Sequence, residues 1–200
     1  MSDEAYGLAS LSALRPLLDG RRVALVGNAG ALLTSGHGPA IEAHDIIIRF
    51  NRGFVRVPDA QGHRTDIAAI ACKMPYGELA RFGSPQVLWL AADAGLMSSS
   101  FLAHAGGVAI NPPSQWALAS ALLDGRRPSS GLLMLHLLRS QFTPQAVTLY
   151  GFDWKRSPTY YENPDDPRQS RTGGPHGWDR EETVVRGWAV EGDGITIVSS

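Results

Sequence analysis

The stretch Asp45-Ile46-Ile47-Ile48-Arg49-Phe50-Asn51 constrains this chain more than any other. Three consecutive isoleucines leave no polar face. A strand formed there must be covered on both sides, which is the situation of strands in parallel sheets flanked by helices. A second apolar run, 23–26, follows Arg21-Arg22 and ends in Gly27-Asn28-Ala29-Gly30. Further short apolar runs predict strands at 66–70, 87–91, 108–110, 147–150 and 195–198. Apolar spacing predicts helices at 8–18, 76–82, 98–105, 115–123, 131–141 and 179–188. The alternation predicts an α/β fold: one domain over residues 1–200, built on a mostly parallel sheet with helices on both faces. The stretch 154–174 has no apolar periodicity, and its length predicts a flexible lid loop.

Composition excludes several classes of partner. With 44% hydrophobic residues and a formal net charge of −1, the chain has no bulk attraction to nucleic acid or to a membrane surface. No apolar run approaches the roughly 18–20 residues that span a bilayer. The opening Met1-Ser2-Asp3-Glu4 is acidic, unlike a signal peptide, and the single cysteine, Cys72, fits a reducing compartment. The expectation is a cytoplasmic protein with no transmembrane segment.

Several polar residues fall where chemistry is done in such folds. Gly27 and Asn28 end a strand, where glycine permits a sharp turn and close ligand approach. Asn28 offers a donor and acceptors for a base, ribose or phosphate, or it belongs to a plain polar turn. Arg49 and Asn51 end the next strand and face the same crevice, or simply solvate the strand end. The Gly-x-Gly-x-x-Gly fingerprint and a Walker lysine are both missing, so NAD and ATP match poorly. Pro128-Ser129-Ser130-Gly131 precedes an apolar helix. Serines there cap the helix, and the free N–H groups with the helix dipole suit a phosphate or carboxylate. His176 follows Thr172-Gly173-Gly174-Pro175 and starts another helix, where the dipole disfavours its protonated form, as a general base requires. Glu181 lies about 140° around that helix, so it need not touch His176, and it either steadies the helix start or braces the loop. Tyr160 and Tyr161 offer phenol hydroxyls that can donate a hydrogen bond to a phosphate without a metal. His37, His44, His63 and His104 have weaker claims, and His136 reads as a packed core residue. No strand ends in an Asp-x-Asp pair of the metal-dependent kind; Asp93 and the Asp165-Asp166 pair are the nearest imitations of one, and the second pair, in a polar loop, reads as solvated.

These segments together resemble glycosyltransferase family 29, the sialyltransferases. Val26-Gly27-Asn28-Ala29-Gly30, with Gly36, Gly38, His44-Asp45 and Arg49-Phe50-Asn51, is similar to the family's large motif. Pro128-Ser129-Ser130-Gly131-Leu132-Leu133 with 147–152 is similar to its small motif, Tyr160-Tyr161-Glu162 to its third motif, and His176 with Glu181 to its very small motif. The order is the family's, from about Val23 to Glu182. Two positions depart from it. Animal members join the large and small motifs by a disulfide, which a chain with one cysteine cannot form. The third motif usually opens on histidine, where this chain has Thr159. The chain is also much shorter than animal members, and a compact bacterial-type member is expected.

The resemblance implies a GT-A-like arrangement around a Rossmann-type nucleotide-binding sheet. It implies an inverting, metal-independent transfer of sialic acid, or of the related Kdo, from a CMP-sugar donor to a glycan acceptor, with the donor as co-substrate and no cofactor. Gly27, Asn28 and Asn51 would hold the nucleotide, and Ser129, Ser130 and Gly131 the phosphate or sugar carboxylate. His176 would act as base, Glu181 beside it, and Tyr160 or Tyr161 with Thr159 would assist the leaving group. A CMP-sugar hydrolase and a non-catalytic nucleotide-sugar or glycan-binding module are the alternatives.

Overall fold

The computed structural model describes residues 8–83, 85–98, 101–102, 107–163, 165 and 174–198. Among these, eight strands form one sheet: β1 (Leu8–Ala9), β2 (Arg22–Val26), β3 (Ile46–Phe50), β4 (Ile67–Ile70), β5 (Gln86–Trp89), β6 (Val108–Ile110), β7 (Ala146–Tyr150) and β8 (Ile195–Ile197). Their order across the sheet is β1-β6-β5-β4-β3-β2-β7-β8, and every pairing is parallel. The described helices include α1 (Arg15–Leu18), α2 (Gly38–Glu42), α3 (Pro58–Gln61), α4 (Tyr76–Leu79), α5 (Pro113–Ala121), α6 (Ser130–Gln141) and α7 (Trp178–Val190). Among the described residues, no helix is long and apolar enough to cross a membrane.

The isoleucine run does what its sequence requires. Side chains alternate across a strand, so Ile46 and Ile48 enter one core while Ile47 enters the opposite one. Val23 and Leu25 likewise oppose Ala24 and Val26, and Ile67 and Ala69 oppose Ala68 and Ile70. The first face is covered by Leu132–Leu138 of α6 and by Val185 and Trp188 of α7; the second carries Leu32, Ile41, Phe82 and Phe101. Both faces are therefore dry, and the mostly parallel sheet expected from the sequence is parallel throughout the described strands.

The predicted helix at 8–18 does not form as one piece. Leu8 and Ala9 instead pair with Val108 and Ala109, extending the sheet past β6. Ser10 then starts a 3-10 turn, Leu11–Leu14, by accepting a hydrogen bond from the Ser12 N–H, and Pro16 opens the short α1. The open edge of β6 outcompetes helical spacing at this end. The helix predicted at 98–105 falls partly outside the described residues, as does the predicted lid at 154–174.

The order places a topological switch at β2. The chain runs from β2 through β3, β4, β5 and β6 in one direction, while β7 and β8 lie on the other side of β2. In open parallel sheets the crevice at the carboxyl ends of such a pair is the usual ligand site. Here those ends are Gly27-Asn28 after β2 and Gly151-Phe152-Asp153 after β7. The two turns touch: the Gly27 N–H donates to the Tyr150 carbonyl at 2.7 Å, and a Cβ on Gly27 would lie 2.4 Å from the Gly151 carbonyl oxygen. Only glycine fits at position 27.

Candidate functional site

A cavity of about 450 Å³ opens at this switch point, lined by the turns after β2, β3 and β7, the start of α6, and 175–185. Its size suits a small-molecule site. Asn28 spans its floor, donating through Nδ2 to the Phe50 carbonyl at 3.1 Å and to the Tyr161 hydroxyl at 3.4 Å. The Asn28 Oδ1 is buried without a hydrogen-bond partner, which leaves an acceptor to be satisfied within the site.

Asn51 enters the cavity through a backbone device. Its φ of 50° is left-handed, a conformation asparagine tolerates better than most residues. The turn breaks the alternation of β3. Asn51 Oδ1 accepts from the Ala71 N–H at 2.8 Å, and Nδ2 donates to Ser130 Oγ at 3.3 Å. Arg49, expected beside it, does not reach the crevice. It is fully buried and donates to the Gln61 and Arg64 carbonyls and to Thr65 Oγ1. His44 and Asp45, also in the first segment, sit at the other end of the strands: Asp45 binds Arg22 through the backbone N–H at 2.9 Å and Nη2 at 2.9 Å, and His44 contacts Thr148 Oγ1.

The start of α6 forms one wall. Ser129 Oγ caps it, accepting from the Leu132 N–H at 3.2 Å. The same residue is gripped by Glu181: the Ser129 N–H donates to Oε1 at 2.8 Å and the hydroxyl to Oε2 at 2.6 Å. Glu181 is 2% exposed, and burial pushes its carboxyl up to about 7 against the opposing pull of the two Ser129 hydrogen bonds. Its contact is with Ser129, so it braces one motif against another. Gly131 lies against Phe152; a Cβ there would meet the ring at 2.5 Å.

His176 stands two residues before α7, ahead of the Gly177 N-cap. Its Nδ1 is 3.0 Å from the Arg127 carbonyl oxygen, so Nδ1 carries the proton and Nε2 is left as the acceptor. Burial lowers its pKa from the ordinary 6.5, and the charges of Arg127 and Lys155 lower it further against the Arg127 hydrogen bond. Desolvation thus leads where the sequence pointed to a helix dipole. A second cavity of about 400 Å³ adjoins the first, lined by Ala91, Asp93, Trp116 and Leu133 among others. His176, Arg127, Asn51, Cys72 and Ser130 line both.

The two tyrosines part company. Their rings are perpendicular, 89° apart. Tyr161 lines the first cavity, with burial holding its phenol protonated. Tyr160 turns away: its hydroxyl donates to the Phe54 carbonyl at 3.3 Å, and Arg56 stacks on its ring at 5.2 Å. Thr159 lines the cavity and bridges to Ala29. Its hydroxyl accepts from Lys155 Nζ, a residue the sequence reading did not single out. Asp153 accepts from the Lys155 and Ser157 N–H groups at 3.0 and 2.6 Å. Asp93 is exposed and caps a turn, accepting from the Gly95 N–H at 2.8 Å. Residues 164 and 166–173 of the predicted lid, Asp166 among them, and His104 lie outside the described residues. Among those described, no group of three or more His, Cys, Asp or Glu is placed to hold a metal ion.

Comparison with known proteins gives these matches. Residues 15–77 match the model of glycosyltransferase family 29 (sialyltransferase). Thirty-five residues, 18% of this chain and 9% of the relative, are 57% identical to sialyltransferase-like protein 2 of Oryza sativa subsp. indica. Over 84% of the chain, 25% identity relates it to CMP-N-acetylneuraminate-beta-galactosamide-alpha-2,3-sialyltransferase 1 of Sus scrofa, 55% of which is covered. The chain thus spans about half the length of that relative. Its fold matches the crystal structure of a mammalian sialyltransferase with a TM-score of 0.61 and 21% identity, over 90% of this chain and 69% of that one. A mammalian sialyltransferase in complex with Gal-beta-1-3GalNAc-ortho-nitrophenol matches with a TM-score of 0.57 and 19% identity, over 92% and 71%.

Proposed function

We propose that this chain is a family 29 glycosyltransferase that moves sialic acid, or a related 2-keto sugar acid, from a CMP-sugar to a glycan hydroxyl with inversion. The observation that carries this reading is the position of His176 on the wall shared by two adjoining cavities, one of them at the switch point of the sheet. A base between donor and acceptor needs that placement. In this reading the nucleotide lies across Gly27, Asn28 and Asn51, with its phosphate toward Ser130, Gly131 and the first N–H groups of α6. The acceptor enters the second cavity, where Trp116 offers an apolar ring to a sugar face. His176 Nε2 takes the proton of the acceptor hydroxyl as its oxygen bonds to the anomeric carbon. The bond from that carbon to the phosphate oxygen breaks on the opposite face, and CMP leaves.

The transition state is oxocarbenium-like, so fixed charges and dipoles do most of the work. Lys155 and the protonated Tyr161 supply positive charge and a hydrogen bond to the departing phosphate. That pairing supports a metal-independent reaction. Tyr160, bonded to Phe54, has no part in it.

The test is binding followed by product analysis. CMP should raise the melting temperature more than UDP, GDP or NAD, by about 2.7 kcal/mol of stability at a hundred times its dissociation constant. Incubation of CMP-sialic acid with acceptors that include a galactosyl-N-acetylgalactosamine should then give a sialylated glycan. A preference for UDP or NAD removes the reading. Free sialic acid as the only product, with every acceptor, makes the chain a hydrolase instead.

A further inference from the structure

The His176 ring is held at one edge and packed on one face. At the edge, Nδ1 lies 3.0 Å from the Arg127 carbonyl oxygen. On the face, the Trp178 indole meets the imidazole with ring centroids 4.8 Å apart and planes tilted by 49°. His176 itself stands outside α7, beside Gly177. The missing side chain there makes room for Arg126, whose Cδ a Cβ on Gly177 would meet at 2.8 Å. Trp178, by contrast, is the first residue of α7 and packs against the larger core. It lines the switch-point cavity together with His176. Among the described residues, its Nε1 is buried without a hydrogen-bond partner. What the residue offers at this place is therefore its ring.

Resting on the reading of His176 as the base, we propose that Trp178 is a positioning residue, whose indole holds the imidazole on the Arg127 carbonyl and keeps water from its face. The Arg127 bond alone leaves the ring free to tilt about that bond. A flat apolar surface anchored in the core removes the freedom. With both contacts in place the proton stays on Nδ1, and Nε2 keeps one direction. A base so placed needs no rearrangement when an acceptor hydroxyl arrives, and a small misplacement of a reacting group costs up to about 100-fold in rate. Excluding water from the ring also disfavours the imidazolium. Arg127 and Lys155 oppose the same charge. The other charged groups lining the two cavities are Asp93, Asp153, Glu162 and Glu181, with Cys72 and Tyr161 the neutral titratable ones, and Arg126 lies against Gly177. Trp178 is uncharged, so its exchange leaves every one of these groups in the sequence. Attraction of the imidazolium to the indole would act in the opposite sense, but desolvation is the largest influence on this ring.

The ring nitrogens of His176 report this without any substrate. In protein carrying isotope-labelled histidine, nuclear magnetic resonance assigns the His176 signals as those missing from His176→Ala. In the native protein they should show the proton on Nδ1 and a titration midpoint below 6.5. Trp178→Ala should move the midpoint up toward 6.5 and shift the neutral ring toward the Nε2–H form that a solvated imidazole prefers. Trp178→Phe keeps a flat ring and discards the unpaired N–H, so both signals should stay native and the fold should be no less stable. With CMP-sialic acid and an acceptor, Trp178→Ala should lose about 10- to 100-fold in kcat while the CMP dissociation constant changes less than about twofold, and Trp178→Phe should recover most of the rate. Should a melting curve show that Trp178→Ala does not fold, Trp178→Leu takes its place. Leucine keeps an apolar side chain but no flat face, and the same change of tautomer is expected. A native midpoint and tautomer in a folded alanine or leucine variant overturn the inference. A midpoint that falls overturns it too, by making the indole a partner of the imidazolium. If the native protein transfers no sugar, the transferase reading fails on the rate measurement, and the ring nitrogens still decide whether Trp178 orders His176.

Discussion

Glu181→Gln tests the contact that joins the two helix starts. The carboxyl is 2% exposed and pushed up to about 7 from an ordinary 4.5, chiefly by burial. A carboxyl raised on folding contributes stability that is complete below the unfolded value and is lost as pH climbs through the folded one. The window is therefore about pH 4.5 to 7. At about 1.4 kcal/mol per pH unit, the loss across it is on the order of 3 kcal/mol. Glutamine imitates the protonated side chain and cannot ionise. Both proteins share every other titratable group, so the difference in their melting temperatures isolates Glu181. Relative to the native protein, the variant should gain from about pH 4.5 to 7 and level off above that. The gain should total roughly 6–12 °C, at about 2–4 °C per kcal/mol for a domain of this size. Differential scanning fluorimetry in matched-ionic-strength buffers reads it directly. A difference that stays flat across the range would falsify the burial of an ionising Glu181 between α6 and α7.

His176→Ala should lower turnover by roughly 100- to 10,000-fold, the worth of a positioned general base, with CMP affinity nearly unchanged by calorimetry. Because burial lowers the pKa of His176 from 6.5, the acid limb of the native rate profile should lie below that value and vanish in the residual activity of the variant. Chelation by EDTA should leave turnover intact; its abolition, with rescue by magnesium or manganese, refutes the Lys155–Tyr161 leaving-group scheme. Tyr161→Phe should slow turnover by about tenfold or more, the loss of one charge-stabilising donor. Tyr160→Phe should cost about 1 kcal/mol of stability, the worth of its bond to Phe54, with turnover at saturation unchanged.

The sheet was legible because burial on both faces writes itself into composition. The isoleucines of β3 admit few other structures, and six further strands were placed within a residue or two of where they form. Helices too short to display a period were not found: α2 and α3 have a proline in the first turn but no repeat. At the site, the segments were legible and the aim of single side chains was not. Arg49 and Asn51 are two apart and were expected to point the same way, but the left-handed φ of Asn51 separates them. Neither Tyr160 nor Tyr161 sits in a regular element, so no periodicity could say which enters the cavity. The grip of Glu181 on Ser129 crosses 52 residues, and nothing local encodes it. Arg127 went unremarked. Its only signal was a basic residue immediately before Pro128 and the cap of α6.

The pairing of β2 with β7 also governs when the site comes into being. Strands β3, β4 and β5 join neighbours made shortly before them, whereas Arg22 to Val26 must wait for Ala146 to Tyr150. Closing so long a loop is the slow kind of step in folding. Gly27 and Asn28 leave the ribosome early and meet the turn after β3 soon afterwards, but the wall after β7, and His176 with α7, come much later. The switch-point cavity is thus complete only once the last third of the chain has folded. Nucleotide binding should accordingly appear late and all at once in refolding, after most of the helical signal has returned.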